Sequence, residues 1–161
     1  MVNVMTTDPL SVAWVAGIVD GEGWVGMNGG FGRSRANGGH SPAIRVTNTE
    51  MEIVQGIMSV VGLGRIYYRS RDKKHPEWKS AYEWRVTGAS ALQVMCDILP
   101  MMRSPTKISA IKVLFCYYIG YWSSAKARRW TENLGVSKRN GIDITSLLME
   151  MNKLLSVEII P

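Results

Sequence analysis

Cysteine and histidine are scarce in this chain of 161 residues; Cys96, Cys116, His40 and His75 are the full set. Neither cysteine has a close Cys or His neighbour, which argues against a zinc site. Each lies in an apolar stretch, which predicts a buried thiol at both positions. The histidines fall in different loops. The apolar runs are broken too often to span a bilayer, so no membrane partner is expected. The N-terminus lacks the basic-then-apolar layout of a signal peptide. An intracellular, soluble protein is the expectation, with organelle, bacterial, archaeal and phage origins all open. Acids are also in short supply. Thirteen Asp and Glu oppose nineteen Lys and Arg, a formal charge of +6. That balance suits a polyanionic partner such as nucleic acid, and equally suits a merely basic protein.

What is present is an ordinary hydrophobic fraction, 46%, enough to exclude wholesale disorder. The length suits one domain with a sizeable core. Asp8-Pro9 opens a first helix, Asp as cap and Pro at the first helical position. It is expected to run to about Val19 and to stop at Gly21 or Gly23. Residues 24–28 and 43–48 read as two strands of a hairpin with a long Gly-rich tip. Thr49 with Glu52 forms a capping box. Behind it Ile53, Ile57, Met58 and Val61 recur at helical spacing, and Gly62 ends that helix. Residues 65–71 and 79–87 read as a second hairpin. Helices are expected over about 89–99, closed by Pro100, and from Ser104-Pro105 to about 121. Residues 123–141 read as polar, basic loop with a short helical turn. Asp143 or Thr145 caps a last helix to about 155. With no internal repeat and no linker, the chain is read as one domain, 1–161. Its core is about 8–121, followed by a helical extension over about 122–161. Strand–strand–helix repeated in this way predicts an α+β fold, an antiparallel sheet with helices on one face.

The second hairpin carries a charge pattern. Arg65, Tyr67, Arg69 and Arg71 alternate with Ile66 and Tyr68. On the return strand Lys79, Glu83, Arg85 and Thr87 alternate with Tyr82, Trp84 and Val86. Period two puts the basic set on one face and most of the apolar set on the other. A two-stranded ribbon with Arg on one face fits the DNA major groove. Asn28 and Arg45 of the first hairpin would share that face, with Thr47 beside them. Arg33 and Arg35 could reach from its tip. Trp24 would also lie there, which a basic face does not explain. Lys126, Arg128, Arg129, Lys138 and Arg139 form a second basic region, either a phosphate-contacting flank or a solvated loop.

Ala13, Gly17 and Gly21 are spaced by four and share one helix face, widened by Ala16. A face this thin admits a second helix at close range, or packs against the chain's own sheet. Asp20 and Glu22 then follow, bracketed by Gly21 and Gly23. Acids at a helix C-terminus are locally unfavourable and call for a cation. A carboxylate with exposed carbonyl oxygens is the hard donor set that Mg²⁺ prefers.

The run Val15-Ala16-Gly17-Ile18-Val19-Asp20-Gly21-Glu22-Gly23 resembles the LAGLIDADG motif. It differs mainly by Val for Leu at its start, Gly for the second Ala and Glu for the second Asp. The helix–hairpin–helix–hairpin–helix order is similar to the αββαββα core of the LAGLIDADG homing endonucleases. The motif occurs once, which resembles the homodimeric branch. The match covers the chain to about Tyr121.

The resemblance implies a site-specific, intron-encoded endonuclease cutting both strands of a long, roughly palindromic double-stranded DNA. It implies an isologous dimer whose motif helices meet through Ala13, Ala16, Gly17 and Gly21. It implies Mg²⁺, with Mn²⁺ able to substitute, held by Glu22 and the Gly21 carbonyl. Asp20 takes a position that is more structural than catalytic. Asn48 matches the residue that positions the attacking water; read from the residues alone it is equally a helix cap. Lys107 matches the active-site cation, with Arg103 as runner-up and a spacing that differs by about a residue. Glu52 stands where the family often has a basic group. No histidine is close in sequence, which fits metal-assisted hydrolysis. The competing reading keeps the fold and the basic sheet without cleavage: an intron RNA maturase, for which RNA would be the partner, or a DNA-binding regulator. A third reading treats the motif as coincidence and expects only weak, salt-driven DNA binding.

Overall fold

The computed structural model describes residues 8–29, 41–70, 73–123 and 141–156. Helix α1 spans Pro9–Glu22. The Asp8 carboxylate accepts the backbone N–H groups of Leu10 and Ser11 at 3.3 and 3.1 Å, satisfying two donors that a first turn leaves open. The helix runs past Val19 to Gly23, the second of the two expected stops. It continues through Asp20 and Gly21, and Gly23 closes it with its N–H on the Val19 carbonyl. Both acids therefore lie inside the last turn rather than after it. Gly17 and Gly21 have no positive φ, so neither breaks the helix.

Strands β1 (Gly23–Asn28), β2 (Ser41–Asn48), β3 (Arg65–Arg69) and β4 (Ala81–Thr87) form one sheet in the order β1-β2-β4-β3. Every neighbouring pair is antiparallel. The sheet's inner face carries Val25, Met27, Ile44, Val46, Trp84 and Val86, all part of the core. Trp84 is fully buried and donates its ring N–H to the Leu63 carbonyl at 2.9 Å. Gly64 makes that approach possible. Its φ is +98°, and a Cβ there would stand 2.7 Å from both the Trp84 ring nitrogen and the Arg85 carbonyl.

Helix α2 covers Met51–Val61. The expected capping box does not form. Glu50 is the cap and makes no side-chain cap bond. Asn48 takes over the turn, its Oδ1 accepting the Glu50 backbone N–H at 2.8 Å. Gly62, at φ +69°, ends the helix as expected. Helix α3 covers Ala89–Ile98 and runs into a 3₁₀ turn, Leu99–Met101. Pro100 sits within that turn rather than closing α3, because a first-turn Pro loses no hydrogen bond. Helix α4 covers Pro105–Ser123, and α5 covers Ile144–Ser156. Asp143 caps α5, accepting the Thr145 N–H at 3.1 Å and the Ser146 hydroxyl at 2.7 Å.

The helices cover the inner face of the sheet. Helix α3 is buried almost all round, with α5 adding Leu147 and Met151 to the same cluster. Burying a side chain such as Leu92 or Ile44 is worth about 1.5–3 kcal/mol, so this layer dominates stability. Cys96 is buried, but Cys116 is exposed, contrary to expectation. Residues Ile111, Leu114, Phe115 and Tyr118 make the buried stripe of α4, and position 116 falls on the opposite side. Burial, reinforced by Asp97 and Glu150, pushes the Cys96 thiol pKa up, so it stays neutral. Among the described residues no helix is long and apolar enough to cross a membrane.

Candidate functional site

The site begins on α1, whose two sides differ. Val15, Ala16 and Val19 are buried in the core. Ala13, Gly17 and Gly21 lie on the opposite, exposed side. A Cβ placed at Gly17 or Gly21 would meet nothing within 4 Å. Leu10, one heptad before Gly17, is 80% exposed. The thin ridge is thus open rather than packed against its own sheet. Ala16 is corrected: it belongs to the core, because position 16 falls with Val12, Val15 and Val19 on the helical wheel.

Glu22 is exposed at the end of this helix, with Gly21 beside it. The Asn48 side chain donates Nδ2–H to Glu22 Oε2 at 2.8 Å. Because Asn48 Oδ1 holds the Glu50 N–H, the amide can present only its nitrogen to the carboxylate. Asn48 therefore shapes the turn before α2, where Glu50 is the cap, and holds the acid from one side.

Asp20 is turned away from this centre. Its two oxygens accept the backbone N–H groups of Arg103 at 2.7 Å and Ser104 at 3.1 Å, fastening the start of α4 to the end of α1. Lys107 completes the tie. Its ammonium donates to the Val19 carbonyl at 2.7 Å and to the Asp20 carbonyl. This is the cation that two acids at a helix C-terminus call for. It leaves one of the three ammonium N–H groups uncommitted by these bonds. Arg103 is exposed and enters only through its backbone. Glu52 is exposed in the first turn of α2.

The donors fit a hard divalent ion. Among the described residues no group of three or more His, Cys, Asp or Glu could enclose a metal. Mg²⁺ does not need such a cage; one or two carboxylates with phosphate oxygens and water suffice. Glu22, whose Oε1 is not engaged by Asn48, and the last-turn carbonyl of Gly21 are donors of that kind.

The outer face of the sheet adjoins this acidic end. Pairing places Trp24 opposite Arg45, Arg45 opposite Arg85, and Arg85 opposite Arg65. Three arginines thus share one rung across three strands. Like charges directly opposite one another destabilise a sheet, so each needs support. Arg45 lies 4.6 Å over the Trp24 ring and donates to Asn28 Oδ1. That explains a half-exposed tryptophan on a basic face. Arg85 lies 5.0 Å over the Tyr67 ring. Arg65, Tyr67 and Arg85 also line a cleft of about 450 Å³ at the Gly62–Gly64 end of the sheet.

Of the residues assigned to this face from sequence, Asn28, Arg45, Arg65, Tyr67, Arg69 and Arg85 lie on it by register. Lys79 is exposed but precedes β4, which begins at Ala81, and so leaves the alternation. Arg33, Arg35, Arg71 and the basic residues from Lys126 to Arg139 lie outside the described residues, as does His40. The alternation placed Glu83 on this face but gave it no role. It is 2% exposed despite facing outward, and it binds two of the arginines: Arg69 at 2.5 Å and Arg85. The signal for it was a lone acid among outward-facing cations.

No family model matches the sequence, and no curated protein matches it. Solved structures do match. I-CvuI, a homing endonuclease solved with its DNA target in the presence of calcium, superposes with a TM-score of 0.51. The identity is 19%, over 94% of this chain and 86% of that one. A second I-CvuI structure, bound to the I-CreI target with magnesium and with the DNA uncleaved, gives a TM-score of 0.52 at the same identity and coverage. The sheet order, the thin exposed helix ending in Glu22 and these superpositions agree that the chain has the LAGLIDADG homing endonuclease fold.

Proposed function

We propose that this protein is a site-specific, divalent-metal-dependent DNA endonuclease that works as a homodimer. The observation that carries the reading is the placement of Glu22. It is exposed, held by Asn48, and sits where an unobstructed small-residue ridge meets an arginine-bearing sheet. The neighbouring fold in I-CvuI, solved on DNA with magnesium or calcium, supports the same reading.

Two copies would meet ridge to ridge through Ala13, Gly17 and Gly21, bringing two Glu22 carboxylates to the twofold axis. Each would serve one DNA strand. Glu22 and the Gly21 carbonyl supply hard oxygen ligands. A divalent ion held by them would supply Lewis acidity toward water and phosphate. Asn48 fixes the Glu22 carboxylate from one side and would orient the attacking water. Lys107 keeps positive charge at the end of α1, next to where phosphate negative charge develops. The outer-face arginines would lie toward the duplex, where phosphate contacts set register and base-edge contacts set sequence.

The deciding experiment is a cleavage selection over a library of duplex sites with wild type and Glu22→Gln, in Mg²⁺ and in Mn²⁺. Wild type is expected to cut a defined, roughly palindromic site, and Glu22→Gln to bind it and leave it intact. Wild-type cleavage by Glu22→Gln refutes the catalytic assignment. One observation favours a non-cleaving reading: the Lys107 ammonium is already engaged by two carbonyls. If wild type cuts in neither metal and binds a structured intron RNA tightly, the maturase reading replaces this one.

A further inference from the structure

Glu83 is the buried carboxylate at the centre of the arginine field, and the metal-centre chemistry makes no use of it. Oε1 accepts Nε of Arg85 at 2.9 Å and also its Nη2. Oε2 accepts Nη2 of Arg69 at 2.5 Å, and the Thr47 hydroxyl reaches the same oxygen at 3.5 Å. The carboxylate is thus saturated from three strands. Arg85 is held edge-on by Glu83 and face-on by Tyr67. Both guanidinium side chains keep open surface, 54% for Arg69 and 30% for Arg85.

A negative charge here works against affinity for a polyanion, since it cancels a cation at the surface that must meet phosphate. It is not needed for packing either, because a buried ion pair contributes little over an apolar pair of the same shape. What it does supply is direction. An arginine free to swing settles on phosphate, which carries no sequence information. An arginine with one edge pinned keeps its other donors in a fixed plane, the condition for bidentate recognition of guanine O6 and N7.

We infer that Glu83 is a positioning residue for sequence discrimination: it holds Arg69 and Arg85 as a rigid pair that reads guanine edges in each half-site, at the expense of non-specific affinity. The inference rests on the DNA-binding reading above.

The test compares wild type, Glu83→Gln and Glu83→Asp as full-length proteins. Binding-site selection from a randomised duplex library is run in Ca²⁺, and affinity for the selected duplex is followed against salt. Wild type should show strong guanine preference at one or two positions per half-site. Glu83→Gln should lose about tenfold discrimination at those positions alone. Its log–log salt slope should steepen by about 1–2, as released arginines move to phosphate. Glu83→Asp keeps the charge but withdraws it, so it should lose the same discrimination with a near-wild-type slope. If Glu83→Gln does not fold, the Glu83→Asp profile decides. Selection profiles and slopes unchanged in the variants, with only a lower melting temperature, would reduce Glu83 to a structural residue and overturn this inference alone. A wild type that selects no sequence would overturn both this inference and the DNA-binding reading.

Discussion

Asn48 and Glu22, 26 positions apart, are joined by one hydrogen bond of 2.8 Å, and a second bond, to the Glu50 backbone, decides which end of the amide takes part. A residue that closes a turn thereby also holds the acid at the end of α1. The acid's carboxylate is thus tied, through Asn48, to the backbone just before α2.

Replacing Asn48 with Ala releases Glu22 without altering its charge. Groups that orient a metal-binding residue cost about 10–100-fold in activity when removed. Cleavage by Asn48→Ala should fall by about that factor, measured in single-turnover assays, while DNA affinity in Ca²⁺ stays at the wild-type level. Undiminished cleavage would dissociate Asn48 from the site.

Lys107 has a structural duty independent of any catalysis. Its ammonium satisfies two carbonyls at the negative end of α1, a place where a cation is favoured. Lys107→Met should therefore lower stability by about 1–2 kcal/mol even without DNA or metal. Urea unfolding of the free protein measures this. An unchanged midpoint would mean that these bonds contribute nothing in solution.

Gly17 separates assembly from folding. Within one chain a Cβ there meets no atom within 4 Å, and leaving glycine gains up to about 1 kcal/mol of helix propensity. Gly17→Leu should fold at least as well as wild type, sediment as a monomer, and lose cleavage. A variant that still sediments as a dimer with unchanged affinity would place the interface elsewhere.

Asp97 predicts a pH dependence. Burial raises its carboxyl pKa to about 6; the Gln93 hydrogen bond opposes this and Glu150 adds to it. The folded state then holds a proton that the unfolded chain releases near its ordinary value of about 3.9. Stability from this group is present below about pH 4 and declines as pH rises through about 6. Asp97→Asn should flatten that decline and stabilise the protein by about 1–2 kcal/mol at pH 7.5 relative to wild type. Denaturation midpoints at pH 4.5 and 7.5 give the comparison; an equal wild-type midpoint at both would contradict it.

Much of the architecture was legible from period and punctuation. Asp8-Pro9, Gly62 and the alternation over 65–69 and 81–87 each report a local backbone rule, and each element formed there. The failures share a cause. Each local signal there fitted two outcomes: Glu50, not Thr49, caps α2, and Pro100 enters the first turn of a 3₁₀ segment instead of closing α3. The end of α1, by contrast, fell at Gly23, one of the two expected stops. Asn48 holds the Glu50 N–H, and Lys107 adds a second donor to the Val19 carbonyl that Gly23 already caps. Ala16 and Cys116 were misplaced because a run of small or apolar residues does not say which side of a helix faces the core.

From its order of residues alone this protein determined its α+β class, the outward set of cations and the presence of an acid between glycines at a helix end, because periodicity and backbone preference act over a few residues. Only the tertiary structure decided that Asn48 reaches Glu22, that Lys107 is spent on the end of α1 and that Glu83 clamps two arginines. Those are contacts between elements far apart in the chain, set by sheet register and helix docking, and no local rule carries that information.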